Sequence, residues 1–129
     1  MLASGIYDYI DVLNKGADAA WLRETAISNN MANATTPGYK RQDVDFEGIL
    51  EQELGRAKYI TLDSKIKSVH LTHLNAPIFE DSTSYSYRLD GNNVDPEQEQ
   101  AELASTRIKY NGLIDSMSKE FARIKSVIK

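Results

Sequence analysis

Two long amphipathic stretches, one at each end of the chain, constrain the fold of this sequence more than any other feature. In the first, about residues 4–33, apolar residues recur at steps of three, four and seven. This spacing places them along one face of an α-helix in a heptad pattern. We therefore predict a helix of roughly 45 Å, at ~1.5 Å per residue. Its stripe comprises Ile6, Ile10, Leu13, Ala17, Ala20, Ile27 and Met31.

The second stretch covers about residues 95–128 and carries a clear start signal. Asp95 can cap the helix, Pro96 suits its first position, and Gln98 can reach back to the cap. The stripe again steps by three and four residues, so we predict a second long helix. It comprises Leu103, Thr106, Tyr110, Leu113, Met117, Ile124 and Val127.

The two matched stripes predict a mainly α fold in which the terminal helices pack as a coiled-coil-like pair. In an antiparallel pair, Asp8 and Asp11 would face the basic residues near the other end of the chain, which are Lys119, Arg123, Lys125 and Lys129. Two helices enclose no core of their own, so further apolar residues need cover from other chains. We expect oligomerisation through these stripes and through Tyr9, Trp21, Leu22, Ile108, Ile114, Phe121 and Ile128.

Between the helices we predict a small, irregular, partly β insert. Residues 46–54 have the spacing of a short helix, whereas residues 59–62, 68–71 and 84–89 have strand-like content. The chain therefore divides into an N-terminal helical part (1–36), an insert (37–94) and a C-terminal helical part (95–129). Gly16 and Gly112 fall near the middle of the two helices, where each either allows the helices to approach closely or is a tolerated surface glycine.

The corner at residues 29–39 is the most specific local pattern. Asn30 and Asn33 stand where a helix would end, and such residues can adopt left-handed geometry and bind loose carbonyls. Pro37 and Gly38 suit the two central positions of a type II turn, which leaves Tyr39 free to pack back on the helix. An ordinary helix-to-loop transition would explain the same residues.

Composition argues against several functional classes. The net charge of −4 disfavours a nucleic-acid binder, which needs a basic surface to displace counterions. The absence of cysteine excludes disulfides, thiolate metal sites and cysteine nucleophiles. His70 and His73 lack a third ligand at a fixed spacing. We therefore expect no catalytic residues, no metal site and no cofactor.

The sequence also predicts no membrane span and no secretory signal peptide. No apolar run approaches the ~18–20 residues that a span needs. Residues 1–8 show no basic segment followed by an apolar block. If the protein leaves the cytoplasm, we expect another export route to carry it.

The corner resembles the flagellar rod and hook family of axial proteins. Their hallmark is an N-terminal helix that ends in Asn-Asn-x-Ala-Asn-x-x-Thr-Pro-Gly-Tyr, and this pattern is matched here by Asn29, Asn30, Asn33, Thr36, Pro37, Gly38 and Tyr39. Residues 40–47, 89–95 and 110–113 resemble one member of that family, from the proximal rod. The resemblance covers both ends of the chain but not residues 55–88.

The resemblance implies a non-enzymatic subunit of the bacterial flagellar basal body. Copies would assemble helically, with one another and with related rod proteins, into the hollow drive shaft that crosses the periplasm. It further implies export through the flagellar type III apparatus without a cleaved signal peptide, and contact with the adaptor that joins rod and membrane ring. Alternatives from the residues alone are another axial protein, a cytosolic helical adaptor, or an enzyme with a pocket around the histidines.

Overall fold

Two long terminal helices run side by side, with a small insert between them. The computed structural model describes residues 2–56, 58, 61–82 and 88–128, and side chains from residue 7 onward. Its elements are α1 (Leu2–Ala32), β1 (Gln42–Val44), α2 (Phe46–Arg56), α3 (Leu62–Ser68), a 3₁₀ turn (Leu71–Leu74), β2 (Ile78–Glu80) and α4 (Pro96–Val127). The mainly α fold with paired terminal helices is thus confirmed.

The terminal helices are antiparallel. Asn30, near the end of α1, hydrogen-bonds Glu99 in the first turn of α4 at 3.1 Å. Further back along α1, the ring of Trp21 lies 6.3 Å from the ring of Tyr110. The predicted start of α4 is also confirmed, since Asp95 accepts hydrogen bonds from the first backbone N–H groups of the helix and Pro96 stands in its first turn.

Among the described side chains, no ion pair joins Asp8 or Asp11 to Lys119, Arg123 or Lys125, and the fourth predicted partner, Lys129, lies outside the described residues. Lys119 instead pairs with Asp115 on its own helix at 2.9 Å, and Arg123 likewise pairs within α4. A partner one turn away lies within reach without any alignment between helices, which favours the local pair.

The hydrophobic core lies between α1 and the insert rather than between the two long helices. One buried cluster joins Val12 of α1 to Ile66 and Leu74 of the insert. A second joins Ala19 of α1 to Val44 and Ala76. In α4, by contrast, the buried residues among those described are Glu99 and Thr106, both polar. The apolar stripe of α4 is therefore only partly covered within one chain.

The insert matches its prediction in part. The short helix is confirmed as α2, which continues two residues further than predicted. Strands at 59–62 and 68–71 are wrong where the structure describes them. The Thr61 side chain caps α3 and Leu62 begins it, whereas residues 68–71 run from the end of α3 to the start of the 3₁₀ turn. Residues 59, 60 and 84–87 lie outside the described part, while residues 88–89 form a turn. The two strands present, β1 and β2, pair antiparallel from Gln42↔Glu80 to Val44↔Ile78.

The two mid-helix glycines have different surroundings. Gly16 is buried, and a Cβ there would lie 3.4 Å from side-chain atoms of both Leu113 and Phe46. This confirms a close approach at Gly16. At Gly112 a Cβ would meet nothing within 4 Å. A helix-interior glycine is less favourable than alanine by about 1 kcal/mol, so the packing of this chain gives Gly112 no compensating benefit.

The predicted turn at the corner is confirmed. The backbone N–H of Tyr39 donates to the carbonyl of Thr36, and Gly38 has φ of 73°. A second turn packs on this one, since the Gly38 N–H donates to the carbonyl of Asp90 at 2.7 Å and Gly91 also has positive φ, 78°. The two turns join the end of α1 to the approach to α4.

Gly38→Ala should lower the free energy of unfolding by about 1–2 kcal/mol, because a Cβ disfavours the left-handed backbone although nothing blocks the space it would occupy. Urea denaturation of the purified protein measures this. Gly55→Ala is the matched control, since Gly55 lies in α2 with equally open space, and it should raise stability by up to about 1 kcal/mol. Equal stability of the two variants would contradict the strain argument.

Candidate assembly site

Asn30 stands at the centre of the corner, fully buried. Its Nδ2 donates to the carbonyl of Gln42 at 2.8 Å and to Glu99 Oε2 at 3.1 Å. Its Oδ1 accepts from the Gln42 N–H at 2.8 Å and from the Tyr39 hydroxyl at 3.1 Å. All four hydrogen-bonding positions of the amide are therefore used.

The Asn30 amide acts as a substitute strand beside β1. It binds both the N–H and the C=O of Gln42, as a neighbouring strand would, on the edge of β1 that faces α1. An unpaired strand edge is otherwise open to other chains. One side chain thus fixes where the chain leaves α1 and enters the sheet.

A buried ion pair crosses the corner. The Nε of Arg41 donates to Glu99 Oε1, and the exposed fractions of the two residues are 6% and 0%. Arg41 also reaches Asp43 at 3.2 Å and Asp81 at 3.0 Å. Burial alone would lower the pKa of Arg41, but the hydrogen bond and charge of Glu99, together with Asp43, raise it above its ordinary value. Arg41 therefore stays charged and joins the first turn of α4 to both strands.

Asn92 binds the loose carbonyls beyond the end of α1, a role that the sequence analysis had given to Asn30 and Asn33. It is fully buried, and its Nδ2 donates to the carbonyls of Asn33, Ala34 and Thr36 at 2.9, 3.1 and 2.9 Å. Its Oδ1 accepts from the N–H of Val94 at 2.8 Å. The loose carbonyls beyond α1 are therefore satisfied by the segment that leads into α4, which locks the two helix ends together.

The predictions for the corner side chains are confirmed in part. Asn33 donates to the carbonyl of Asn29 at 2.8 Å, and Tyr39 packs back on Asn30 through its hydroxyl. Left-handed geometry at Asn30 and Asn33 is wrong, because neither has positive φ. Burial, followed by the charges of Glu99 and Glu80, raises the pKa of Tyr39, which keeps its hydroxyl protonated as a donor.

The other motif residues lie on the outside of the corner. Asn29, Thr36, Pro37 and Gly38 are exposed. Sequence reasoning did not select Arg41, Glu99 or Asn92 for the site. The signal available was weak: Glu99 is one of three glutamates in the first turns of α4, and nothing local distinguishes the buried one from those in solvent.

The stripe residues differ in how deeply they are buried within one chain. In α1, Ile10, Ala17 and Ile27 are buried, with exposed fractions of 6% or less. Half-buried residues of the two stripes are Leu13, Ala20, Met31, Leu103, Tyr110, Leu113, Met117 and Ile124. Val127 is 81% exposed, and the side chain of Ile6 lies outside the described ones.

Large apolar side chains beyond the stripes are exposed on α1, on the insert and on α4. The exposed fractions of Trp21, Ile108 and Phe121 are 63%, 72% and 50%. Ile114 and Ile128 are exposed as well, whereas Tyr9 and Leu22 are half-buried. Apolar side chains repeated along one helix are typical of a surface that another chain covers.

A metal site at the two histidines and a membrane span have little support in the described part of the chain. The rings of His70 and His73 lie 5.2 Å apart, and no group of three His, Asp or Glu residues there is arranged to hold a metal ion. No helix among the described residues combines the length and apolar character required to cross a membrane.

Comparison with curated proteins finds flagellar rod proteins that match most of the chain. Identity is 35% with the flagellar basal body rod protein FlgB of Bacillus subtilis, over 92% of each chain. The FlgB proteins of Cereibacter sphaeroides and Escherichia coli are 30% and 27% identical, over 92% and 82% of this chain and over 94% and 82% of their own lengths. No family model matches the chain.

Asn30→Ala should lower the free energy of unfolding by about 3 kcal/mol, because it leaves the Gln42 backbone groups and the Glu99 carboxylate short of buried partners. Asn29→Ala is the adjacent control: its side chain is exposed, and the change should stay within about 0.5 kcal/mol. Chemical denaturation measures both. Similar stability of the two variants would show that the corner does not depend on the Asn30 amide.

Proposed function

Because this chain belongs to the FlgB family of flagellar basal body rod proteins, we propose that it forms part of the proximal rod. The protein is a structural subunit of the flagellar basal body rod and is not an enzyme. In the proposed assembly, copies pack helically with one another and with other rod proteins to form a hollow shaft that transmits torque.

The observation that carries this proposal is that the chain buries the apolar residues of α1 more fully than those of α4. Several apolar residues of α1 are buried against the insert, whereas α4 retains exposed Ile108, Phe121 and Val127 within one chain. Burial of a large apolar side chain contributes about 1.5–3 kcal/mol before entropy losses. Neighbouring subunits that cover α4 therefore have a substantial drive to assemble.

The three parts of the chain have separate roles in this proposal. Residues 1–36 and 95–129 form the helical wall of the shaft and bear the stripes that meet neighbouring subunits. Residues 37–94 cover α1, and the corner fixes how this insert leaves the helix pair. Torque would pass through the packed helices rather than through flexible connections.

We propose four kinds of partner: copies of this chain, other rod proteins, the adaptor that joins the rod to the membrane ring, and the flagellar type III export apparatus, through which the subunit reaches the periplasm. The net charge of −4 supports protein partners rather than nucleic acid. The basal body is the site of the protein in the cell.

Deletion of the gene tests the proposed function. Cells without the protein should lack complete basal bodies and should not swim, and the restored chain should be found in purified basal bodies. Electron microscopy, swimming assays and mass spectrometry of the purified fraction measure these outcomes. A protein confined to the cytosol, with intact basal bodies in the deletion strain, would overturn the proposal in favour of a cytosolic adaptor.

Pro37→Ala combined with Gly38→Ala should reduce swimming and rod assembly. The change removes both residues that shape the corner turn, and Gly38 has positive φ. Gly55→Ala, outside the corner, should swim normally. Normal rods and swimming in the corner variant would show that the corner is dispensable for assembly.

A further inference from the structure

The first half of α4 is anchored to the rest of the chain by ion pairs. These connect it to α1, to α2 and to the residue that precedes β1, and they lie on successive turns of the helix. The pairs are Glu99 with Arg41, Glu102 with Arg23, Arg107 with Glu24, and Lys109 with Glu47. The position of residues 96–109 is therefore fixed from three sides.

The second half of α4, from residue 112 onward, is held differently. Its ion pairs stay within the helix, as Lys119 pairs with Asp115 and Arg123 pairs with Glu120, each at 2.9 Å. Among the described side chains, no ion pair or side-chain hydrogen bond joins residues 112–128 to another element. Apolar contacts remain, but they are partial, because Leu113, Met117 and Ile124 are only half-buried.

Gly112 stands at the boundary between the two halves. Glycine and proline are the least favourable residues in a helix interior. A Cβ at Gly112 would meet nothing within 4 Å, so close packing does not require glycine there. Gly16, by contrast, is explained by its neighbours, since a Cβ there would touch Leu113 and Phe46. The benefit of Gly112 therefore lies in its backbone freedom.

Ser116 supplies a second, independent sign of a bend at the same point. Its Oγ donates a hydrogen bond to the carbonyl of Gly112 at 2.8 Å. In a regular α-helix that carbonyl accepts from the backbone N–H of residue 116, so the hydroxyl competes with the helix's own hydrogen bond. Serine back-bonding of this kind bends helices, and kinks occur at pairs of glycine and serine.

We propose that Gly112 and Ser116 form a hinge, about which residues 113–128 swing away from α1 as an intact helical arm. The anchored first half stays in place. A bend of about 20° is enough to matter. Ile128 lies roughly 24 Å beyond the hinge, at ~1.5 Å per residue, so its Cα would move by roughly 8 Å.

The apolar side chains of the arm give this motion a use. Phe121, Val127 and Ile128 are 50%, 73% or more exposed when the arm lies along α1. The swing would uncover the half-buried side chains of the arm as well, and burial against a neighbouring chain would then select the bent position. This use rests on the proposed function, in which subunits cover one another. Once covered, the arm is fixed, so a free subunit adjusts whereas the finished shaft is rigid.

Spin-label distances in the purified protein test the hinge itself, because the chain has no cysteine of its own. Labels at Asn14→Cys and Ser126→Cys report on the arm, and labels at Ser28→Cys and Ser105→Cys report on the anchored half; all four positions are exposed. The arm pair should give a distance distribution several ångströms wider than the anchored pair. Equal, narrow distributions for both pairs would overturn the inference.

Gly112→Ala combined with Ser116→Ala removes both hinge features. The double variant should narrow the arm distribution to the width of the anchored pair. Its melting temperature should rise by about 2–5 °C, since alanine favours the helix and nothing occupies the space. A distribution that stays wide in this variant would contradict a hinge at these residues.

Hydrogen exchange separates a swinging helix from a melted one. The amides of residues 114–124 should exchange slowly in the unmodified protein, because an arm that swings as a unit keeps its helical hydrogen bonds. Exchange there as fast as in an unfolded chain, against slow exchange in residues 99–109, would show that the arm melts and would overturn the inference.

Swimming cells test whether assembly uses the hinge. The double variant should lower rod yield and swimming several-fold, whereas Gly55→Ala, also helical with open space, should assemble normally. Asn111→Gly combined with Gly112→Ala moves the glycine by one residue and should restore assembly. Normal rods with the double variant would overturn the inference and leave the proposed function intact. Absence of the unmodified protein from basal bodies would overturn the proposed function, while the spin-label distances would still decide whether α4 bends.

Discussion

The buried ion pair between Arg41 and Glu99 is the interaction on which the rest of the structure depends. Removal of two charges from water is unfavourable unless other groups satisfy them. Here Asn30 binds the second oxygen of Glu99, and Asp43 and Asp81 bind the guanidinium. Such an arrangement contributes modest net stability but strongly disfavours every other arrangement, because any displacement leaves an unpaired buried charge. It therefore fixes the relative position of α1, the sheet and α4.

The apolar side chains of the two long helices are buried to different extents. Those of α1 pack against the rest of the same chain, so Ile10 and Ile27 are buried without any other chain. In α4, Thr106 and Glu99 are the described residues that are fully buried, and its apolar stripe is left half-covered. One helix is therefore held by the chain's own core. The other is positioned by its first turn and exposes a long surface to neighbours.

Local signals predicted local structure. The heptad stripes, the Asp95 cap and the turn at Gly38 depend on residues within one or two turns of each other, so the sequence sufficed for them. The buried corner depends on contacts between residues 58 and 69 positions apart, such as Arg41 and Asn30 with Glu99. No periodicity reveals these. The two strands that form, β1 and β2, could not be predicted for a related reason: three residues are too few to show alternation, and β1 is bound by the distant β2 and by the Asn30 amide.

A precise corner matters more in a repeating assembly than in a single molecule. Each residue added to or lost from the register of α4 would rotate the helix by about 100°, which would turn its exposed apolar residues away from the neighbouring subunits proposed to cover them. Asp95 fixes where α4 begins, and Glu99 fixes which face of its first turn is buried. A small rotational error at one subunit would recur at the next and accumulate along a shaft. The costly polar network at the start of α4 is thus suited to set the rotation of the whole helix.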